Sequence, residues 1–341
     1  MRARSVRGRV CYVVILIAVA GALSGCQATP DRSAGGVSST GAAASAHATS
    51  MSQLQQETER LRRERDRLRS KLSAQGKTAT KTASPGAGTQ PGQPPAVGDL
   101  AALQASFVTL AAQLGGAEGL AFTGVGGGAT TRLGPWKTGV GWSTVKVPLA
   151  VAAVAKAQGR PDAETRRLMR LALTASDNAA AEQLWAGLGD PRSAAAQVQA
   201  VLRSGGDAET IVQSQRVRPG YTAFGQTNWS LASQATFMAK LSCLKHSDEV
   251  LELMGEVESD QRWGIGSIGL PSQFKGGWGP GLAGGYLVRQ MGIVTLSNGS
   301  RVGIALASEP ADGRFETGAA NLTALARWAA VNIRNTASGG C

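Results

Sequence analysis

The chain has 341 residues, 43% of them hydrophobic, and 35 Lys or Arg against 23 Asp or Glu, a formal net charge of +12. An excess of that size suits a binder of nucleic acid or of an anionic surface. Its distribution argues against nucleic acid, because residues 97–341 carry only +3, while residues 1–25 carry +4, residues 51–75 carry +3 and residues 76–96 carry +2.

The amino-terminal segments come first. Arg2, Arg4, Arg7 and Arg9 precede an apolar run from Val10 to Leu23, which is too short to span a bilayer well and reads as an export signal over residues 1–25. It ends in Leu23-Ser24-Gly25-Cys26, which resembles a bacterial lipobox and implies lipidation of Cys26 and a membrane anchor outside the cytoplasm. Residues 26–50, rich in Ala, Ser, Gly and Thr, form a tether that cannot bury a core. In residues 51–75, Leu54, Leu61 and Leu68 recur every seventh position with Met51 and Leu72 in the other seam, interrupted by Thr58 and Arg65. That pattern predicts either a short coiled coil that pairs two copies or a solvated single helix. Residues 76–97 are a Pro/Gly-rich linker.

Residues 98–335 read as one domain, followed by a tail over 336–341. Helical spacing covers Leu100 to Leu114, and two strands, Gly119 to Val125 and Ala129 to Leu133, flank three glycines. Ser143 to Lys156 reads as an apolar helix, in which Pro148 implies local distortion. The middle, 163–255, reads as helical apart from a loop over 205–228. Strands return at Tyr286–Leu296 and Arg301–Ala307 around Ser297-Asn298-Gly299, and a helix closes at Phe315–Ile333. The expected fold is α+β, with one antiparallel sheet formed by both ends of the domain, flanking helices and a helical lobe.

Two histidines, His47 in a low-complexity stretch and His246 in a charged run, argue against a histidine-based triad. Ser143 and Lys146 offer another nucleophile and base, since a serine three residues before a lysine shares its helix face. Apolar neighbours Val145, Val147 and Leu149 would desolvate Lys146 and favour its neutral form. The same Ser-x-x-Lys spacing recurs at Ser242–Lys245 and Ser272–Lys275, so the spacing alone decides nothing. The downstream triplet Ser176-Asp177-Asn178 between helices sets Ser143–Lys146 apart. A literal Lys137-Thr138-Gly139 precedes the nucleophile, in the loop leading into its helix, whereas Lys275-Gly276-Gly277-Trp278-Gly279 lies later, before the Tyr286 strand.

Taken in order, Ser143-Thr144-Val145-Lys146, Ser176-Asp177-Asn178 and Lys275-Gly276-Gly277 resemble the motif set of the class A β-lactamase and D,D-peptidase superfamily of serine acyltransferases. The resemblance spans residues 98–335 and implies a β-lactamase-like fold and no cofactor or metal. By position, Ser143 would be acylated, Lys146 would take its proton, Ser176 would relay a proton to the leaving group, and Lys275 would tune Ser176 and attract a substrate carboxylate. Asn178 would bind substrate amide and hold Lys146. Gly277 and Trp278 would border the substrate, with the Ser143 and Trp278 N–H groups as oxyanion donors, and Arg289 would replace part of the carboxylate grip lost with the threonine. Outside the cytoplasm, Cys243 and Cys341 either pair or remain free thiols.

Two departures limit the expected activity. The family's hydrolytic glutamate would fall near Gln215 to Arg218, where no acid stands, and the segment from Ser143 to Ser176 is short. Three functions follow. The first is a serine acyl-transfer hydrolase acting on a peptidoglycan stem peptide or acylated by a β-lactam. The second is a class A-like β-lactamase with another deacylation route, and the third is a non-catalytic envelope lipoprotein.

Overall fold

The computed structural model describes residues 97–333 except Ala283. The signal, Cys26, the heptad segment, the linker and Cys341 lie outside the described residues. In chain order the elements are α1 (Val97–Leu114), β1 (Gly116–Gly124), β2 (Thr131–Leu133), β3 (Thr138–Val140), α2 (Lys146–Lys156), α3 (Ala163–Thr174), α4 (Asn178–Gly187) and α5 (Pro191–Ser204). Then follow β4 (Asn228–Ser230), α6 (Leu231–Leu241), α7 (Asp248–Gly255), β5 (Ser272–Pro280), β6 (Tyr286–Thr295), β7 (Arg301–Pro310) and α8 (Phe315–Asn332).

The five-stranded antiparallel sheet has the order β2-β1-β7-β6-β5, so the domain's first and last strands meet at its centre, with Gly116 opposite Pro310 and Gly124 opposite Val302. That is the α+β arrangement expected from the sequence. Both faces are covered. Phe107, Leu322 and Leu325 pack on one side, while Leu149, Met169, Phe237 and Trp229 fill the other side and the helical lobe. β6 and β7 are buried almost from end to end, so neither shows an alternation of exposure, although Arg289 and Gln290 stand in the middle of β6.

Side-chain caps explain where the lobe helices begin. Asp162, Asp177 and Asp190 each accept a hydrogen bond from a first-turn N–H of α3, α4 and α5 respectively. The predicted Ser143–Lys156 helix is split. Trp142–Val145 form a 3-10 turn and the α-helix starts at Lys146. Pro148, third in that helix, lacks an N–H where none is required. The short β3–β4 ribbon was not anticipated, and it holds Thr138 and Gly139, which the sequence had placed in a loop. Cys243 is disulfide-bonded.

One buried acid stands in the central sheet. Glu118 on β1 is fully buried, accepting from Ser308 Oγ and Asn321 Nδ2, both at 3.0 Å. Burial raises its pKa to about 7, against the smaller opposing effect of those two bonds. The neutral acid therefore predominates in the folded protein below about pH 7. The stability it contributes is full below the unfolded-state value near 4.5 and is lost as pH rises through about 7. Glu118→Gln should remove that slope, on the order of 3 kcal/mol between pH 4.5 and 7.5, as read from urea midpoints of both proteins across this range.

Candidate active site

Ser143 sits in the 3-10 turn before α2 and is partly exposed. Its neighbour Trp142 holds φ at 50°, a left-handed conformation that costs on the order of 1 kcal/mol in a bulky residue. Packing enforces it: the Trp142 ring lies 5.0 Å from Tyr221 and 4.9 Å from the Arg218 guanidinium. Thr144 is buried and donates to Gly141 O, and it accepts from Gln234 Nε2 at 2.8 Å. Gln234 in turn accepts from Arg289 Nη2.

Arg289 corrects an expectation. It is fully buried and donates to Gly139 O at 3.0 Å, Val140 O at 2.9 Å and Trp229 O at 3.1 Å. Desolvation lowers its pKa to about 9. With these donors turned to backbone carbonyls, it does not grip a substrate. It ties β6 to the β3–β4 ribbon and, through Gln234 and Thr144, to the turn that carries Ser143. Sequence reasoning missed Gln234 and Thr144, because neutral side chains in apolar helices carry no charge or spacing signal.

Lys146 is 1% exposed. Its Nζ donates to Ser176 O at 2.6 Å and Asn178 Oδ1 at 2.7 Å, and lies 3.5 Å from Ser176 Oγ. Burial lowers its pKa to about 7, and Asp177 opposes the shift. A neutral amine has two hydrogens and one lone pair. The two short bonds use both hydrogens and leave the lone pair as the acceptor a general base needs. Among the described residues no hydrogen bond joins Lys146 Nζ to Ser143 Oγ, although the sequence spacing predicted proton-transfer distance.

Ser176, at the turn into α4, also holds a left-handed φ, 60°. That turn aims its carbonyl at Lys146, while its hydroxyl accepts from Lys275 Nζ at 2.7 Å. Lys275 on β5 is fully buried and also donates to Gly276 O at 3.0 Å. Desolvation, then the nearby Lys146 amine, holds its pKa well below the usual lysine range. Two residues on, Gly277 makes the close approach of β5 possible. A Cβ there would lie 2.8 Å from Ser143 N and 3.0 Å from Trp142 Cβ. Trp278 lies on the other face of the β5 edge, in a ring cluster with Trp263 and Phe315. The structure thus brings Ser143, Lys146, Ser176, Asn178, Lys275 and Gly277 to one edge of the sheet. Ser272 lies on β5 and Ser242 follows α6, so the other two Ser-x-x-Lys matches form no such group.

The loop over 205–227 holds two acids, and neither bonds a residue of this edge: Asp207 is buried and accepts from the N–H groups of Glu209 and Thr210, and Glu209 is exposed. Gln215 and Val217 face solvent, Arg216 pairs with Glu182 at 2.9 Å, and Arg218 donates to Pro280 O at 3.1 Å. Among the described residues, no group of His, Cys, Asp and Glu could hold a metal ion, and no helix is long and apolar enough to cross a membrane.

No protein-family model matches the sequence, and no curated protein matches it. Solved structures do match in fold. TLA-1 extended-spectrum β-lactamase is 14% identical, with a TM-score of 0.59 over 69% of this chain and 99% of that one. A β-lactamase from Chitinophaga pinensis is 17% identical, with a TM-score of 0.54 over 67% and 97%. A class A β-lactamase from Mycobacterium abscessus is 16% identical, with a TM-score of 0.52 over 66% and 98%. The domain has the class A β-lactamase-like fold, and at these identities the likeness defines the fold alone.

Arg289→Ala should leave three or more carbonyl acceptors and Gln234 unpaired around a cavity, costing about 3 kcal/mol or more. For a domain of this size that is a fall of roughly 6–12 °C in Tm, readable by circular dichroism, and a loss no larger than that of an exposed arginine would contradict the assigned role.

Proposed function

We propose that this domain is a serine acyl-transfer hydrolase in which Ser143 attacks an activated carbonyl, and that the acyl group leaves slowly. The observation that carries this reading is the Ser176 hydroxyl held between two buried amines, with Lys275 Nζ at 2.7 Å and Lys146 Nζ at 3.5 Å. In the proposed step, the Ser143 O–C bond forms as Lys146 Nζ takes the hydroxyl proton. Ser176 then passes a proton to the leaving atom, accepting one from the Lys146 side, while the carbonyl-to-leaving-group bond breaks. The N–H groups of Ser143 and Trp278 would hold the oxyanion, each worth a few kcal/mol. Slow release follows from the loop over 205–227, which brings no carboxylate to activate water.

The donor would be an activated carbonyl of the kind that a cell-wall stem peptide or a β-lactam presents. The chain would hang from the membrane by lipid on Cys26, with residues 51–75 pairing two copies. A binding-only lipoprotein is the second reading. The observation favouring it is that Lys146 Nζ turns to Ser176 and Asn178 and makes no hydrogen bond to Ser143.

Incubation with a fluorescent penicillin, followed by intact-mass analysis, separates the two. The acyl-transfer reading expects one adduct on the native protein that persists after excess ligand is removed, and none on Ser143→Ala. No adduct on either protein would favour binding only. Fast consumption of a chromogenic cephalosporin, abolished in Ser143→Ala, would instead mean efficient β-lactamase turnover. Because Lys146 must be neutral to act, the acylation rate should rise about tenfold per pH unit below 7 and level off above it. Stopped-flow labelling between pH 5 and 9 measures this, and a flat profile would remove Lys146 as the base.

A further inference from the structure

β5 is an outer strand of the sheet, and its free edge beside Ser143 is bordered on two faces. Lys275 and Gly277 point toward the helical lobe. Gly276 and Trp278 point the other way, toward α8. A Cβ on Gly276 would lie 2.8 Å from the Trp263 ring, so this indole fills the space that a side chain at 276 would need. Trp263, Trp278 and Phe315 are each half-buried, and their ring centroids lie 6.0, 5.9 and 5.4 Å apart in a three-way cluster.

The cations around this edge are turned elsewhere. Lys275 is buried against Ser176 and Gly276, and Arg289 against the β3–β4 ribbon. Arg218 donates to Pro280 O and lies over Trp142, and Arg216 pairs with Glu182. Arg262 donates to Val257 O and lies 5.8 Å from the Phe274 ring, and Arg314 pairs with Glu316 at 3.6 Å. A carboxylate brought to this edge would lose water and meet only cations already engaged by other partners, which is costly. An uncharged flat or apolar group would gain ring contacts of the kind worth roughly 0.5–1.5 kcal/mol each.

We infer that the subsite beside the scissile bond takes an uncharged, ring-bearing or apolar group, and that Trp263 with Trp278 and Phe315 sets this preference. Esters, thioesters or amides whose leaving part carries no carboxylate are therefore the preferred acyl donors, and a donor that carries one, such as a penicillin, acylates Ser143 more slowly. This inference rests on the acyl-transfer reading above. With a thioester donor, the Ser143 O–C bond forms and the C–S bond breaks. The Ser143 proton passes by Lys146 and Ser176 to the departing thiolate, and water later hydrolyses the ester.

The full chain should be assayed with three thioesters of benzoylglycine, made from thioglycolic acid, its methyl ester and benzyl mercaptan. Thiol release by the native protein should favour both neutral donors over the carboxylate donor by tenfold or more in kcat/KM. Trp263→Ala should lower the benzyl donor about tenfold and leave the carboxylate donor within twofold. A preference of the native protein for the carboxylate donor, or indifference of the benzyl donor to Trp263→Ala and Trp278→Ala alike, would overturn the inference.

A second arm is independent of acylation. Ser143→Ala is titrated with acetylglycine benzylamide and with acetylglycylglycinate, and tryptophan fluorescence is followed. Quenching by the benzylamide alone supports the subsite, even if no thioester acylates Ser143 and the acyl-transfer reading falls. Equal or tighter binding of the carboxylate ligand refutes the subsite, whatever the thioesters show.

Discussion

Two buried lysine amines converge on one half-buried serine hydroxyl, and the rest of the site follows from that crowding. Lys146 and Lys275 are at most 1% exposed, and both reach Ser176. Two ammonium groups so placed would repel each other without solvent to screen them. Burial therefore drives both toward the neutral amine, the state able to accept a proton. An ordinary surface lysine would remain charged and could serve only as a cation. The positive φ at Ser176 and at Trp142 belongs to the same constraint. One aims a carbonyl at Lys146 and the other sets Ser143 at the edge of β5.

That arrangement needs a rigid frame, which the fully buried Arg289 supplies. Its guanidinium binds carbonyls of two short strands and reaches Gln234, which bonds Thr144 beside the nucleophile. A planar group with five donors can hold several carbonyls at fixed angles, which a lysine cannot do. The sequence invites the opposite reading, that a cation near a candidate site waits for a substrate anion.

Much of this was legible beforehand. Chain-end strands, a helical middle and a late hairpin predicted the sheet, because apolar runs bounded by turn residues report strands directly. The order of Ser143, Lys146, Ser176, Asn178 and Lys275 predicted their convergence. What remained hidden depends on three-dimensional contact. Nothing in the spacing of Gly276 and Trp263 shows that one ring fills the space over the other residue. The 3-10 turn at Trp142–Val145 was hidden because an apolar run with one early proline also suits a plain α-helix. The β3–β4 ribbon was missed because three-residue strands carry too little periodicity to read.

Acylation of Ser143 depends on the protonation state of Lys146. The most direct measurement is an NMR pH titration of lysine side chains labelled at 13Cε, with the Lys146 resonance assigned from Lys146→Arg. A midpoint near 7 is the predicted result. A midpoint near 10, the value of a solvated lysine, would show that this amine is charged at neutral pH and cannot serve as the base for Ser143.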